Sequence, residues 1–258
     1  PIILTATLAF AGLSALIYHS KIVPKSITSL PPQQRRSQTA LYASNYPAIA
    51  HAIIGFAISI AEAYRHGFDI HMPNSKVSTL NTAIGLGYFI QDTINGAYHN
   101  YNEPMMHLHH FIGCTMLPYS LWSNRYGNTL CWIYIMSEIT NPFILTRNVL
   151  QKHNTYNGIQ MICGFLFCVL FTCCRVFGGG IIAYTLYLSD ATLFTKFEFA
   201  LLWFLSLLWC FKALNLLLKG LVGKSNNETI AACYGMLNGI RKRKNRMLAF
   251  TGTCAVLS

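Results

Sequence analysis

Charge is what this sequence has least of. Only 10% of its 258 residues are Asp, Glu, Lys or Arg, against about a quarter in soluble domains. With 53% hydrophobic residues and a mean hydropathy of +0.38, that scarcity excludes an ordinary soluble domain and a disordered chain alike. No C-x-x-C pair occurs, and most of the nine cysteines lie inside apolar runs. They read as small buried hydrophobes rather than a disulfide framework or a zinc site. The sequence also lacks a G-x-G-x-x-G fingerprint, a P-loop, an internal repeat and a low-complexity tract, so no nucleotide or metal site is expected. It opens on Pro1 rather than Met, as a processed or partial sequence would, and no targeting segment is read from it.

What the chain does have is length in apolar runs. Crossing about 30 Å of hydrocarbon takes roughly 20 apolar residues, and seven segments approach that: Pro1–Tyr18, Tyr42–Ala63, Val77–Ala97, His107–Trp122, Thr129–Thr146, Gly158–Phe177 and Phe197–Val222. The expectation is an all-α membrane protein of about seven transmembrane helices. It divides into an N-terminal span with a polar linker (1–41), a six-span bundle (42–222) and a basic tail (223–258). Gly178-Gly179-Gly180 is expected to break the sixth span, with Ile181–Leu188 either lying along the interface or completing a bent helix. The linker Ser20–Thr39 holds Pro24, Pro31 and Pro32.

The net charge of +11 orients such a bundle. Thirteen Lys and Arg fall in the first, third and fifth loops and the tail, against Arg65, Lys76, Arg125 and Lys196 on the other side. That asymmetry supports an odd number of spans with the C-terminus cytoplasmic, or facing the matrix in a mitochondrion. The run Arg241–Arg246 is read as a cytoplasmic flank, with an anionic-lipid patch as the alternative and no nucleic acid as partner. Asn227 opens the one N-glycosylation sequon, on the side where it is not used.

The middle spans are only weakly apolar because they carry Asp92, His99, His107, His109, His110, Glu138, Asn141 and Arg147. Ionisable groups at membrane depth default to a functional reading. By topology, Asp92, His110 and Arg147 belong in the same half of the bilayer. On a helix His107 and His110 share a face, and His109 points about 100° away from His110. Histidine serves as a base or nucleophile near neutral pH, and a carboxylate such as Asp92 fixes its tautomer; hydrogen-bonded structural histidines are the competing account. Pro142 withdraws the backbone bond to the carbonyl of residue 138, opening the helix beside Glu138, with Asn141 one turn away. That pair either binds a polar lipid head or braces the kink. Nine histidines are present, but His51, His66, His71 and His153 form no second box of the kind a di-iron oxidase needs. A pump or channel is disfavoured because the charges cluster rather than line a path.

Met106-His-Leu-His-His-Phe-Ile-Gly, then Tyr126-Gly, then Ser137-Glu-Ile-Thr-Asn-Pro-Phe-Ile-Leu-Thr-Arg147 together resemble the TLC-domain family, which includes ceramide synthases. The resemblance implies six helices around a lipid-sized cavity, an extra N-terminal helix and residence in the endoplasmic reticulum, with the mitochondrial inner membrane as alternative. It marks His109, His110 and Asp92 as catalytic candidates and His107, Glu138, Asn141 and Arg147 as lipid-binding candidates. Ceramide synthases carry a later His-Asp motif where this chain has Ser-Glu-Ile-Thr-Asn-Pro-Phe, so the resemblance is to the non-synthase branch. Two functions are expected to compete. One is a lipid binder or acyltransferase-like enzyme, using acyl-CoA if it transfers acyl groups. The other is a non-catalytic accessory subunit that keeps the fold and its lipid within a larger membrane complex.

Overall fold

The computed structural model describes residues 1–215. The basic run Arg241–Arg246, the Asn227 sequon and the last residues of the seventh span lie outside the described residues. Helix dominates: α1 (Ile2–Tyr18), α2 (Lys25–Thr28), α3 (Pro32–His66), α4 (Lys76–His99), α5 (Pro104–Ser123), α6 (Gly127–Glu138), α7 (Asn141–His153), α8 (Asn157–Leu170), a π-helical turn (Phe171–Gly178), α9 (Gly179–Leu188) and α10 (Leu193–Asn215). Among the described residues the only extended pairing is an isolated bridge between Pro73 and Arg125. The chain's contacts divide it into Pro1–Cys210 and Phe211–Ser258. The packing below is that of the first unit; of the second, Phe211–Asn215 are helical.

Among the described residues three helices are long and apolar enough to cross a membrane: Pro32–His66, the continuous Asn157–Leu188 and Leu193–Asn215; Ile2–Tyr18 is apolar but shorter. Large apolar side chains face outward along them, Leu16, Ile53, Phe165, Ile181 and Leu193 among them. Such exposure is costly in water and ordinary in lipid. Hydroxyls within the spans bond their own backbone, as Thr7 Oγ1 does to Ile3 O at 2.9 Å and Thr172 Oγ1 to Cys168 O at 2.8 Å, which spares them burial without a partner.

The helix ends follow local chemistry. Pro32 sits in the first turn of α3, where its missing N–H costs nothing. Ser75 caps α4 by accepting from Val77 N (3.1 Å) and Ser78 N (3.0 Å), and α4, α5 and α7 end on Asn100, Asn124 and Asn154 in the left-handed region, which Asn tolerates best after Gly. α4 is central, packing on α1, α3, α5 and α6. Its approach to α1 is made possible by Gly87: a Cβ there would stand 2.7 Å from Ala6 Cβ and 2.8 Å from Ile3 O. One apolar core gathers Leu86, Phe89, Met116, Leu117, Leu130 and Phe199; a smaller one holds Ile17, Ile27, Tyr42 and Ala43.

Three expectations change. The linker 20–39 is not simply polar chain, because α2 forms within it and α3 begins at Pro32, ten residues before the apolar span. The stretch Thr129–Thr146 is not one helix but α6 and α7, parted at Ile139–Thr140, where Pro142 denies the ladder a donor. Gly178–Gly180 do not break the sixth span: their backbone stays helical and Ile181–Leu188 continues it. In lipid the backbone has nothing but itself to bond with; Met136 takes the space at Gly178, and Trp203, whose Nε1 donates to Val176 O at 2.9 Å, takes that at Gly179 and Gly180.

Candidate functional site

α4 and α5 are antiparallel neighbours, and their contact brings together the residues that the sequence singles out. Asp92, buried on α4, lies with Oδ2 3.3 Å from His110 Nε2. Tyr88 donates its hydroxyl to the same oxygen at 3.3 Å, and Tyr101, in the connection to α5, donates to Oδ1 at 3.0 Å. Burial, and then the neighbouring Asp92 carboxylate, push the Tyr101 phenol well above its ordinary pKa, so it stays a donor. The carboxylate is thus held from three sides.

His109 goes elsewhere. Phe89 sits between the paired histidines, with ring centroids 5.4 Å from His109 and 5.7 Å from His110, so both rings turn inward while His107, in the first turn of α5, is exposed. The expected sharing of a face by His107 and His110 is therefore not what the bundle uses; packing against Phe89 selects the 109/110 pair. His109 lines a cavity of about 100 Å³ between α5, α6, α9 and α10. Its apolar wall includes Ile112, Met116, Leu130, Met136, Phe199 and Trp203. Its polar wall is His109, Tyr134, Ser137, Glu138, Arg175 and Ser206.

Glu138 ends α6 at the break before Pro142. Asn141 Nδ2 donates to Glu138 Oε2 at 2.7 Å, while Asn141 Oδ1 accepts from Arg175 Nη2 at 3.0 Å. The same Nη2 donates to Ser137 O at 3.1 Å, a carbonyl near the turn of backbone that Pro142 opens. Asn141 therefore bridges a carboxylate and a guanidinium. Arg175 reaches this point from the π-helical turn, with its guanidinium 5.2 Å from the Phe171 ring centroid. Single π turns recur at functional sites because they re-aim one side chain without ending the helix.

His51 links the two clusters. Buried in α3, it stacks on Tyr88 at 4.2 Å between centroids, and its Nδ1 lies 4.0 Å from Glu138 Oε2. Of the lipid-binding candidates, Glu138 and Asn141 join this network. Arg147 does not line the cavity; its Cδ and Nε are each 3.4 Å from where a Cβ on Gly164 would stand. Tyr88, Tyr101, His51 and Arg175 are participants that the sequence pattern does not single out. A signal existed for Arg175 alone, as a cation inside an apolar span.

Residues 37–221 match the family pattern described as the TLC domain. The chain belongs to the TLC-domain family. The match begins inside α3, runs past the end of the described residues, and so contains the Asp92–His110 contact, the Glu138–Asn141–Arg175 bridge and the cavity. α1, outside the match, packs on the TLC bundle through α3 and α4, with Phe10 edge-on to Tyr88 at 5.6 Å. No solved structure matches the chain.

Proposed function

We propose that this TLC-domain protein binds a membrane lipid, with the acyl chain against the Met116/Phe199 wall of the cavity and the polar end at His109, Glu138 and Arg175. One observation carries the reading: three atoms of the cavity's polar lining, His109 Nδ1, the Tyr134 hydroxyl oxygen and Arg175 Nε, are buried and have no hydrogen-bond partner. Unpaired buried polar atoms cost roughly 1–3 kcal/mol each, and the acceptor atoms of a lipid head or acyl carbonyl would relieve Arg175 Nε and, in the tautomer that protonates Nδ1, His109. On this reading His109 is the group next to the lipid, and Asp92 and His110 form the support behind it. Acyltransferase-like chemistry, with acyl-CoA as donor, is the more specific form of the proposal. The endoplasmic reticulum is the proposed membrane, and the family resemblance supports it.

A second reading has its own observation. The cavity, at about 100 Å³, is well under the roughly 300–1,000 Å³ of typical ligand pockets, as befits an accessory subunit that retains the fold inside a larger complex. The test is extraction of lipids from the purified chain, parent against Arg175→Met and His109→Phe. The lipid-binding reading expects a specific co-purifying lipid that both variants lose while remaining folded. Unchanged lipid content in both, together with loss of a large membrane complex on deleting the chain, overturns it in favour of the accessory role. Lipidomics of whole membranes carrying His109→Ala then separates chemistry from binding.

A further inference from the structure

The eight acidic residues leave two long stretches with none at all, 1–61 and 139–189. The fold brings these stretches together. α2 and the first turns of α3 pack against the end of α7. Ser26 Oγ donates to the Lys152 carbonyl, and Lys152 Nζ donates to Gln38 Oε1 at 2.8 Å. Between them lies a groove of about 630 Å³, within the usual range for a ligand site. Its polar lining is Ser26, Gln34, Ser37, Gln38, Gln151 and Lys152, and Ile27 and Leu30 complete it. Ser26 spends its one donor on the Lys152 carbonyl; each of the other polar side chains there carries a hydrogen-bond donor, and none is a carboxylate. Lys25 and Arg35 adjoin these residues in sequence. Glu103, in the α4–α5 connection, is outside the lining.

The depth of the groove identifies its occupant. Tyr42 opens the apolar part of α3 and ties it to α7 through His153 Nε2 at 2.9 Å. At 1.5 Å per residue, Gln38 and Gln34 stand about 6 and 12 Å beyond Tyr42. The headgroup layer extends roughly 5–8 Å beyond the hydrocarbon on each side, so the groove opens at and just beyond headgroup level. We propose that it binds the headgroup phosphate of an anionic glycerophospholipid from the adjoining leaflet, Lys152 supplying the charge and the Ser and Gln side chains the hydrogen bonds. The site is separate from the His109 cavity, and its proposal stands or falls independently of what that cavity holds.

The test uses the full chain in nanodiscs of phosphatidylcholine doped with phosphatidylglycerol, reading the ratio of the two lipids retained after extraction. The parent should enrich phosphatidylglycerol, and the enrichment should fall as salt rises. Each unit of charge beside an anionic headgroup is worth roughly fivefold. Lys152→Ala should therefore cost about fivefold, Lys152→Arg little, and the double variant Gln34→Glu/Gln151→Glu, at two exposed positions, about 25-fold with thermal unfolding unchanged. A parent without preference overturns the proposal. So does a preference that survives both Lys152→Ala and the double variant, since it would then belong to the basic run 241–246.

Discussion

Gly87→Ala and Gly12→Ala are the same chemical change in two helices, and the fold demands opposite outcomes. At Gly87 the added Cβ would stand 2.7 Å from Ala6 Cβ, 2.8 Å from Ile3 O and 3.0 Å from Thr7 N, whereas at Gly12 nothing lies within 4 Å. Two of the three atoms facing Gly87 are backbone of α1, so no rotamer change relieves them; α1 must move off α4. Overpacking costs about 1–3 kcal/mol, and replacing a mid-helix glycine by alanine returns about 0.5–1 kcal/mol. The net expectation for Gly87→Ala is a loss centred on about 1 kcal/mol and reaching about 2.5 kcal/mol, at the centre about a fivefold fall in the folded ratio. Gly12→Ala should instead gain about 0.5–1 kcal/mol. Reversible unfolding in detergent, followed by circular dichroism, measures both. If the two variants shift stability in the same direction, the α1–α4 contact is not as described and the argument from Gly87 fails.

Two further outcomes follow from the polar contacts. Asp92→Ala strands the Tyr88 and Tyr101 hydroxyls without their common acceptor, removes the carboxylate beside His110 Nε2, and should cost about 3 kcal/mol or more. Tyr101→Phe removes a single 3.0 Å bond and should cost about 1 kcal/mol; equal losses in thermal unfolding for the two would contradict a shared carboxylate. Ser75→Ala removes the α4 cap and the 2.8 Å donor to the fully buried Glu62. It should cost about 1–2 kcal/mol, with Ser75→Thr restoring most of it, and urea titration of the three proteins decides the point.

Much of the site was legible because its signals are local. Asp92, His109, His110 and Glu138 stand out as ionisable groups in apolar runs, and Pro142 marks the break beside Glu138 by removing one donor. The division of labour between His109 and His110 was not legible. It is set by Phe89, a residue on another helix whose type says only that it is apolar. Arg175 was visible as an oddity but not as a member of the site. Its aim depends on a π-helical turn, and one extra residue per turn rotates everything after it in a way that a 3.6-residue ruler does not register. The triple glycine misled because glycine's freedom matters where water or a partner can take up the backbone bonds, and inside a bilayer neither is offered. His51 carries no spacing signal at all; its place between Tyr88 and Glu138 comes from tertiary packing.

α3 has a mechanical consequence for the membrane around it. Its 35 residues run about 52 Å, longer than hydrocarbon core and headgroups combined, at about 40–45 Å. Only Tyr42–Ala63 is apolar, about 33 Å of helix against roughly 30 Å of hydrocarbon, so mismatch costs this segment little and the polar turns before Tyr42 stay outside the acyl layer. Tilt is free to be set by packing on α4 and α6 instead of by lipid length. The projecting turns before Tyr42 act as a stiff post, so whatever settles among Gln34, Gln38 and Lys152 is held at a fixed height above the acyl chains.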